Sequence, residues 1–271
     1  MLSARSILQE IVDGEHSFRL FCSIAAGGES QGGWENGRIA ALVPDSMRDL
    51  APKIARHGAD EDKHGRIFNA LLRKRGLDPV AVPPETDYTM LLERQGIGLS
   101  HQKLHGSEQL SERDIVVYLA HSRVTEQRAA DQMHVLVKCL GAASELGRAV
   151  RMISQDEDNH LAYCHEELLR LAAQGHARTI RTVLRESALA EIRVYREVTL
   201  AVMGEMGRLL DWPKGKAGVL AAGIHGLYGY EHMGGWRRMV SLSMPARKNA
   251  LGGASPVAPA PASERSSSRR L

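Results

Sequence analysis

Two copies of one acidic pentapeptide constrain this chain more than any other feature of its sequence. Residues 60–64 read Asp-Glu-Asp-Lys-His and residues 156–160 read Asp-Glu-Asp-Asn-His. A chain of this composition contains about one Glu-x-x-His by chance, but requiring Asp on both sides of the Glu lowers the expectation to about 0.002. The repetition therefore indicates an internal duplication.

Each copy places a carboxylate and an imidazole three residues apart, as Glu61 with His64 and as Glu157 with His160. On a helix, this spacing brings the two side chains to one face, about a turn apart. Helical bundles hold a shared pair of metal ions with two such motifs, together with one further carboxylate from each partner helix. The two partner carboxylates should lie at the same height as the motifs that they face.

The chain turns near Pro44, which lies 17 residues before Glu61 and 15 residues after Glu29. At about 1.5 Å of rise per residue, Glu29 and Glu61 differ in height by only ~3 Å. Glu35 would miss by ~12 Å and Glu15 by ~18 Å. Glu29 is the preferred ligand, but its glycine-rich neighbourhood could instead form a loop, so Glu15 and Glu35 stay open as alternatives.

The second motif is also preceded by a turn, and the same comparison of heights can be made there. A turn near Ala142 places Glu126 sixteen residues before it and Glu157 fifteen residues after it, again at one level. The predicted metal ligands are Glu29, Glu61, His64, Glu126, Glu157 and His160.

The pattern along the chain predicts an all-α fold, because helical periodicity is frequent and alternating strand patterns are scarce. Helices are expected from about Ser6 to Leu42, from the turn at 43–46 to Arg75, from Ser111 to Leu140, from the turn at 141–144 to Ala173, from Arg178 to Leu210 and from Lys216 to Ser243. Residues 77–110 are expected to form an irregular crossover. Residues 1–248 form a single predicted domain, and the Ala/Pro/Ser/Gly-rich residues 249–271 are expected to be disordered.

Charge and cysteine content exclude several classes of protein. The formal net charge is +3, and the tail of residues 249–271 supplies +2 of it. Residues 1–248 are therefore nearly neutral and lack the excess of basic residues that is typical of nucleic-acid binding. Three scattered cysteines without a CxxC motif exclude a disulfide framework, a zinc ribbon and a rubredoxin-type iron site. An apolar run of about eighteen residues is absent and the N-terminal segment contains acidic residues, so we expect a cytoplasmic protein without a membrane span.

The six ligand types, their order and the long crossover resemble the ferritin-like di-iron carboxylate superfamily, over roughly Ser6 to Ala173. The resemblance implies a ferritin-like four-helix bundle, built from two hairpins with a long crossover, to which two additional C-terminal helices are added. The Asp-Glu-x-x-His form is more similar to bacterial multicomponent monooxygenases and the ribonucleotide reductase small subunit than to ferritin. In those proteins the Asp accepts a hydrogen bond from a metal-bound histidine, a role that would fall to Asp60 and Asp156.

Departures from the family patterns narrow the expected chemistry. Ferritin lacks a second complete Glu-x-x-His, and rubrerythrin needs cysteines that this chain does not have. The radical-forming tyrosine of most reductase small subunits would fall one turn after the first histidine, where this chain has Phe68. A tyrosyl-radical role is therefore not expected.

Four carboxylates and two imidazoles form a hard ligand set suited to two iron ions, with manganese or a mixed Fe/Mn pair as alternatives. We expect an O2-dependent di-iron oxygenase or oxidase that hydroxylates, N-oxygenates or desaturates a small organic substrate, supplied with electrons by a ferredoxin or reductase. An iron-oxidising or storage protein and a dimanganese catalase-like enzyme remain alternatives. The two C-terminal helices are expected to shape a substrate pocket or a homodimer interface.

Small residues one turn after two ligands, Gly33 and Ala130, are expected to leave room for O2 and substrate. The alternative for the glycine patch is close packing of helices. Tyr163 is interpreted as core or cavity wall. Four other histidines are interpreted as ordinary helix residues: His57, His134, His225 and His232.

Overall fold

The computed structural model describes residues 3–141 and 143–242. Regular structure within these two ranges is entirely helical, which confirms the all-α class. The expected end of the domain at residue 248 and the expected disorder of 249–271 lie outside the described residues. None of the helices in the described ranges combines the length and the apolar composition that crossing a membrane would require.

The helices are α1 (Ala4–Asp13), α2 (Glu15–Leu42), α3 (Ala51–Lys74), α4 (Tyr88–Arg94), α5 (His101–His105), α6 (Glu112–Cys139), α7 (Glu145–Leu171), α8 (Ala177–Leu209), α9 (Lys214–Tyr230) and α10 (Arg237–Val240). Short 3-10 turns occupy Asp45–Leu50 and Pro84–Thr86, and π-helical turns occupy Ala172–His176 and Glu231–Gly235.

Helix boundaries follow local chemistry. Ser111 caps α6 by accepting a hydrogen bond from the backbone N–H of Asp114, and the Asp114 side chain returns one to the backbone of Ser111. Helix α3 ends before Gly76, whose φ of +70° suits a residue without a Cβ. The first predicted helix is interrupted at Gly14, and α2 then continues through the glycine patch to Leu42.

The crossover is partly helical, so the expectation of an irregular segment over 77–110 was wrong in part. Asp87 caps α4 through the backbone N–H of Met90, and Ser100 caps α5 through that of Lys103. These helices have seven and five residues, too few for a hydrophobic period to stand out in the sequence.

Helices α2 and α3 form one antiparallel hairpin, and α6 and α7 form a second one that packs against α3. Helix α8 lies against α6, and α9 lies against α8. The glycines of the first hairpin bring its helices unusually close: a Cβ on Gly58 would lie 3.0 Å from the carbonyl oxygen of Gly33. Gly33 therefore serves helix packing and leaves no cavity, contrary to one of the two readings of the sequence.

Candidate metal centre

All six side chains that the sequence analysis selects lie in one buried cluster at the centre of the two hairpins. Helix α2 contributes Glu29, α3 contributes Glu61 and His64, α6 contributes Glu126, and α7 contributes Glu157 and His160. A seventh residue, His57 of α3, joins them.

The first of two ligand groups consists of His57, Glu61, Glu126 and His160, each of which offers one atom within 4.8 Å of the others. The His57 Nε2 atom lies 3.0 Å from Glu61 Oε1 and 3.2 Å from Glu126 Oε1. The His160 Nδ1 atom lies 3.4 Å from Glu61 Oε1. Two carboxylates and two imidazoles thus converge on one small volume.

The second group consists of Glu29, Glu61, His64 and Glu157, and it meets the same 4.8 Å limit. The His64 Nδ1 atom lies 3.2 Å from Glu29 Oε2 and 3.5 Å from Glu157 Oε1. Glu61 belongs to both groups. The groups are therefore adjacent, and one carboxylate can reach both.

The alternatives for the first-helix carboxylate lie elsewhere. Glu15 is exposed at the start of α2. Glu35 lies beside His101 of the crossover, with 2.8 Å between Glu35 Oε1 and His101 Nε2. Of the three candidates, Glu29 alone belongs to a ligand group.

The sequence analysis missed His57, which it treated as an ordinary helix residue. A weak signal was present, since His57, Glu61 and His64 follow one another at steps of four and three residues along one helix face. The equivalent position in the second copy of the motif is Ile153. A search guided by the duplication therefore had no reason to select His57.

The two aspartates that the resemblance assigns to histidine positioning lie next to the histidines of the opposite motif. His64 Nε2 is hydrogen-bonded to Asp156 Oδ2 at 3.1 Å. Asp60 Oδ2 is 3.6 Å from His160 Nε2, which is too long for a hydrogen bond. Lys63 donates to both aspartates, at 3.1 Å to Asp60 and 2.6 Å to Asp156.

Electrostatics show why this cluster suits a cation. Burial raises the pKa of Glu29 and of Glu61 to about 8 each, and it raises that of Glu157 well above the ordinary value. Burial also opposes ionisation of Glu126, but the neighbouring imidazoles of His57 and His160 together outweigh it and lower the Glu126 pKa. Two divalent cations would supply the four positive charges that four ionised carboxylates need in a dry interior.

Buried polar atoms without a hydrogen-bond partner also indicate a site for a cation. Neither ring nitrogen of His160 has a hydrogen-bond partner among the described residues, and the same holds for Glu126 Oε2. A buried donor or acceptor without a partner is unfavourable, and a metal ion would satisfy such atoms. The buried His/Glu group could therefore hold a metal ion.

A cavity of about 590 Å³ adjoins the cluster. Its wall comes mainly from α2, α6, α8 and the crossover, with smaller parts from α3 and α7. All four carboxylates of the cluster form part of it: Glu29, Glu61, Glu126 and Glu157. Room beside the ligands comes from Gly28, where a Cβ would meet nothing within 4 Å. On α6, Ala129 lines the cavity and Ala130 does not, so the expectation for Ala130 was wrong by one position.

Phe68 and Tyr163 have different surroundings. Phe68 is buried, lines the cavity and packs edge-on against Phe21 at 6.3 Å between ring centroids. The Tyr163 hydroxyl lies 3.0 Å from that of Tyr118, and the Tyr163 ring packs against the main core. The reading of Tyr163 as core is consistent with this position.

Comparison with protein-family models, with curated proteins and with solved structures finds no match to this chain.

Proposed function

We propose that this chain is a ferritin-like di-iron carboxylate protein that activates O2 to oxidise a small organic molecule. One observation carries the proposal: two four-residue ligand groups share Glu61 and lie beside a cavity. In helical bundles, four carboxylates with histidines from facing helices are the arrangement that holds two metal ions. The two hairpins would then form the four-helix bundle of that superfamily.

The ligand types favour iron, with manganese as the alternative. Carboxylate oxygens and imidazole nitrogens are hard to intermediate donors, and thiolates do not contribute to either group. The four carboxylates balance two divalent ions, so the loaded site would be neutral. Bound iron would supply the redox chemistry by which a C–H or N–H bond, O2, two electrons and two protons yield an oxygenated product and water.

The residues of the chain itself would position the ligands and exclude water. Asp156 accepts a hydrogen bond from His64 Nε2, which leaves Nδ1 of the same ring directed at Glu29 and Glu157. Such a contact fixes the tautomer of a ligand histidine and its orientation. Lys63 offsets part of the charge of Asp156, to which it donates.

The cavity favours an organic substrate over storage or peroxide disproportionation. Its volume of about 590 Å³ lies within the range of small-molecule binding pockets. Iron storage and the dismutation of peroxide involve only iron, O2, water or peroxide, none of which needs this much space. Because the electrons come from outside the chain, a ferredoxin or a reductase is the proposed partner.

Metal analysis and rapid mixing test this proposal. The chain purified from iron-supplemented cells is expected to contain about two irons, and mixing the reduced protein with O2 is expected to give an absorption change that a substrate accelerates. Retention of hundreds of irons in an assembled shell would instead support storage. Rapid peroxide disproportionation by a manganese-loaded protein would support a catalase.

A further inference from the structure

A second polar cluster lies at the cavity, away from the metal groups. Glu35 lines the cavity and accepts hydrogen bonds from His101 Nε2 at 2.8 Å and from Gln31 at 3.2 Å. Both bonds use Oε1, so the other carboxylate oxygen, Oε2, is left for a ligand. Glu93 contacts the same imidazole from its other edge, at 3.4 Å from Nδ1.

This cluster carries excess negative charge. Two carboxylates, Glu35 and Glu93, share one imidazole, so the three side chains sum to −1 when both carboxylates are ionised and His101 is protonated. Burial raises the pKa of Glu35, and the hydrogen bonds from His101 and Gln31 oppose this shift. The Glu35 side chain is partly accessible, since 19% of its surface is exposed. A ligand with a positive charge would be attracted here, and an anionic one would be repelled.

Elsewhere among the described residues of the cavity wall, no positive charge is free for an anionic ligand. His57 is held between Glu61 and Glu126. Arg128 is the only lysine or arginine among the described residues that line the cavity. Its guanidinium is held by Glu191 at 2.7 and 2.8 Å and by Glu231 at 2.9 Å. Burial lowers the pKa of His121 to about 4, so this imidazole is neutral.

We propose that Glu35 binds the ammonium group of the substrate, and that the apolar body of the substrate extends along the cavity toward the metal groups. Glu35 lies six residues after Glu29 on α2, which is about 9 Å along the helix axis. An amine held at Glu35 would therefore be oxidised at an atom several bonds from its nitrogen, by hydroxylation or desaturation. The position of oxidation rests on the proposed function, but the binding of an amine does not.

A purely structural role for Glu35 is the competing explanation, since His101 belongs to α5 and Glu35 helps to seat that helix. Other residues of α2 also hold α5. Arg38 donates to the carbonyl oxygen of Leu104 at 2.8 Å, and the Trp34 ring contacts the His101 ring at 5.1 Å between centroids. Glu35→Gln keeps an acceptor for His101, so we expect this variant to fold.

Binding of three matched probes separates the two explanations. The full chain is titrated calorimetrically under argon with 4-phenylbutylammonium, 4-phenylbutanol and 4-phenylbutyrate, which differ mainly in the polar end group. We expect the amine to bind about tenfold more tightly than the alcohol, because it forms a charge-assisted hydrogen bond, and the carboxylate to bind most weakly. Glu35→Gln should remove the advantage of the amine and leave the affinity for the alcohol unchanged.

Glu93→Gln is the matched control, because Glu93 contacts the same imidazole but does not line the cavity. It should retain part of the preference for the amine, because Glu35 still faces the cavity although the cluster loses one negative charge. Equal affinity of the unmodified chain for amine and alcohol would overturn the proposal without any substitution. An equal loss for all three probes in Glu35→Gln, or a loss of preference in Glu93→Gln as large as in Glu35→Gln, would overturn it too.

Metal content, measured on the same samples, keeps this proposal separate from the proposed function. Glu35→Gln should bind as much metal as the unmodified chain. A chain that prefers the amine but binds no metal would refute the metal centre alone. A chain with two metals per molecule and no preference among the probes would refute the amine site alone.

Discussion

His64 of the first acidic motif is hydrogen-bonded through Nε2 to Asp156 of the second motif, at 3.1 Å. The duplicated pentapeptides are therefore interlocked, because the aspartate of one copy positions the histidine of the other. The reciprocal pair, Asp60 and His160, is 3.6 Å apart and not hydrogen-bonded. Because of this asymmetry, we expect metal binding to depend more on Asp156 than on Asp60.

Asp156→Asn should lower metal affinity about 10- to 100-fold, which is the usual consequence of losing the partner of a ligand histidine. An amide cannot supply the negative charge that favours the required tautomer of His64. Competition with a chelator of known affinity measures the change. Asp158→Asn, an exposed neighbour on the same helix, is the control and should bind metal normally.

Glu61→Ala should abolish binding of both metals, because Glu61 alone belongs to both ligand groups. Glu29→Ala and Glu126→Ala each remove one ligand from a single group, so each should lose one metal more readily than the other. Elemental analysis of the purified variants measures metal content directly. Two metals retained by Glu61→Ala would show that the groups do not act as one site.

His57→Ala should weaken metal binding, because His57 Nε2 lies 3.0 and 3.2 Å from two ligand carboxylates. The loss should be confined to the group that contains Glu126. His134→Ala, a half-exposed histidine of α6, should leave metal content unchanged. If His57→Ala binds metal with full affinity, the imidazole is only a hydrogen-bond partner of the two carboxylates.

These residues show what the sequence predicts and where it fails. The height of a residue along its helix depends only on its distance in sequence from the turn. The turn position and the helical rise were therefore enough to select Glu29 and Glu126. His57 was missed, because its identity is not repeated in the second copy. The capped short helices of the crossover were missed too, since α5 packs against α2 and α4 packs mainly against α8, both of which lie far away along the chain.

The glycine patch illustrates a different limit. Periodicity places Gly33 one turn after Glu29, but only the packing of α2 against α3 decides whether the missing side chain leaves space or allows contact. Gly28 leaves space beside the ligands, whereas Gly33 allows close contact between α2 and α3. Such a choice is a property of two surfaces together, and neither segment contains it alone.

Gly58→Ala should destabilise the fold by about 1–3 kcal/mol, the usual range for overpacking a tight contact. Its Cβ would lie 3.0 Å from the carbonyl oxygen of Gly33 and 3.2 Å from the backbone nitrogen of Gly37, and neither backbone atom can easily move. Gly37→Ala meets nothing within 4 Å, so it should be neutral or stabilise helix α2 slightly. Urea unfolding of both variants gives the comparison.

The last prediction concerns a buried ion pair outside the metal centre. Glu231 accepts hydrogen bonds from Arg128 at 2.9 Å and from Arg238 at 2.6 Å. Burial opposes ionisation of Glu231, but the two arginines outweigh it and lower its pKa below the ordinary 4.5. A carboxyl whose pKa is lower in the folded state stabilises the fold at a pH above 4.5, and this contribution is lost as the pH falls through the folded-state value.

Glu231→Gln should therefore be less stable than the unmodified chain at pH 7, by about 3 kcal/mol, because Arg128 loses part of a buried charge pair. The difference should stay constant from pH 8 to pH 5 and narrow below pH 4.5, where protonation begins to remove the same charge from the unmodified chain. Urea unfolding of both proteins without added metal, at a series of pH values, measures this difference. A gap that widens toward acid pH would contradict the lowered pKa, because it would mean that Glu231 takes up its proton more readily in the folded chain than in the unfolded one.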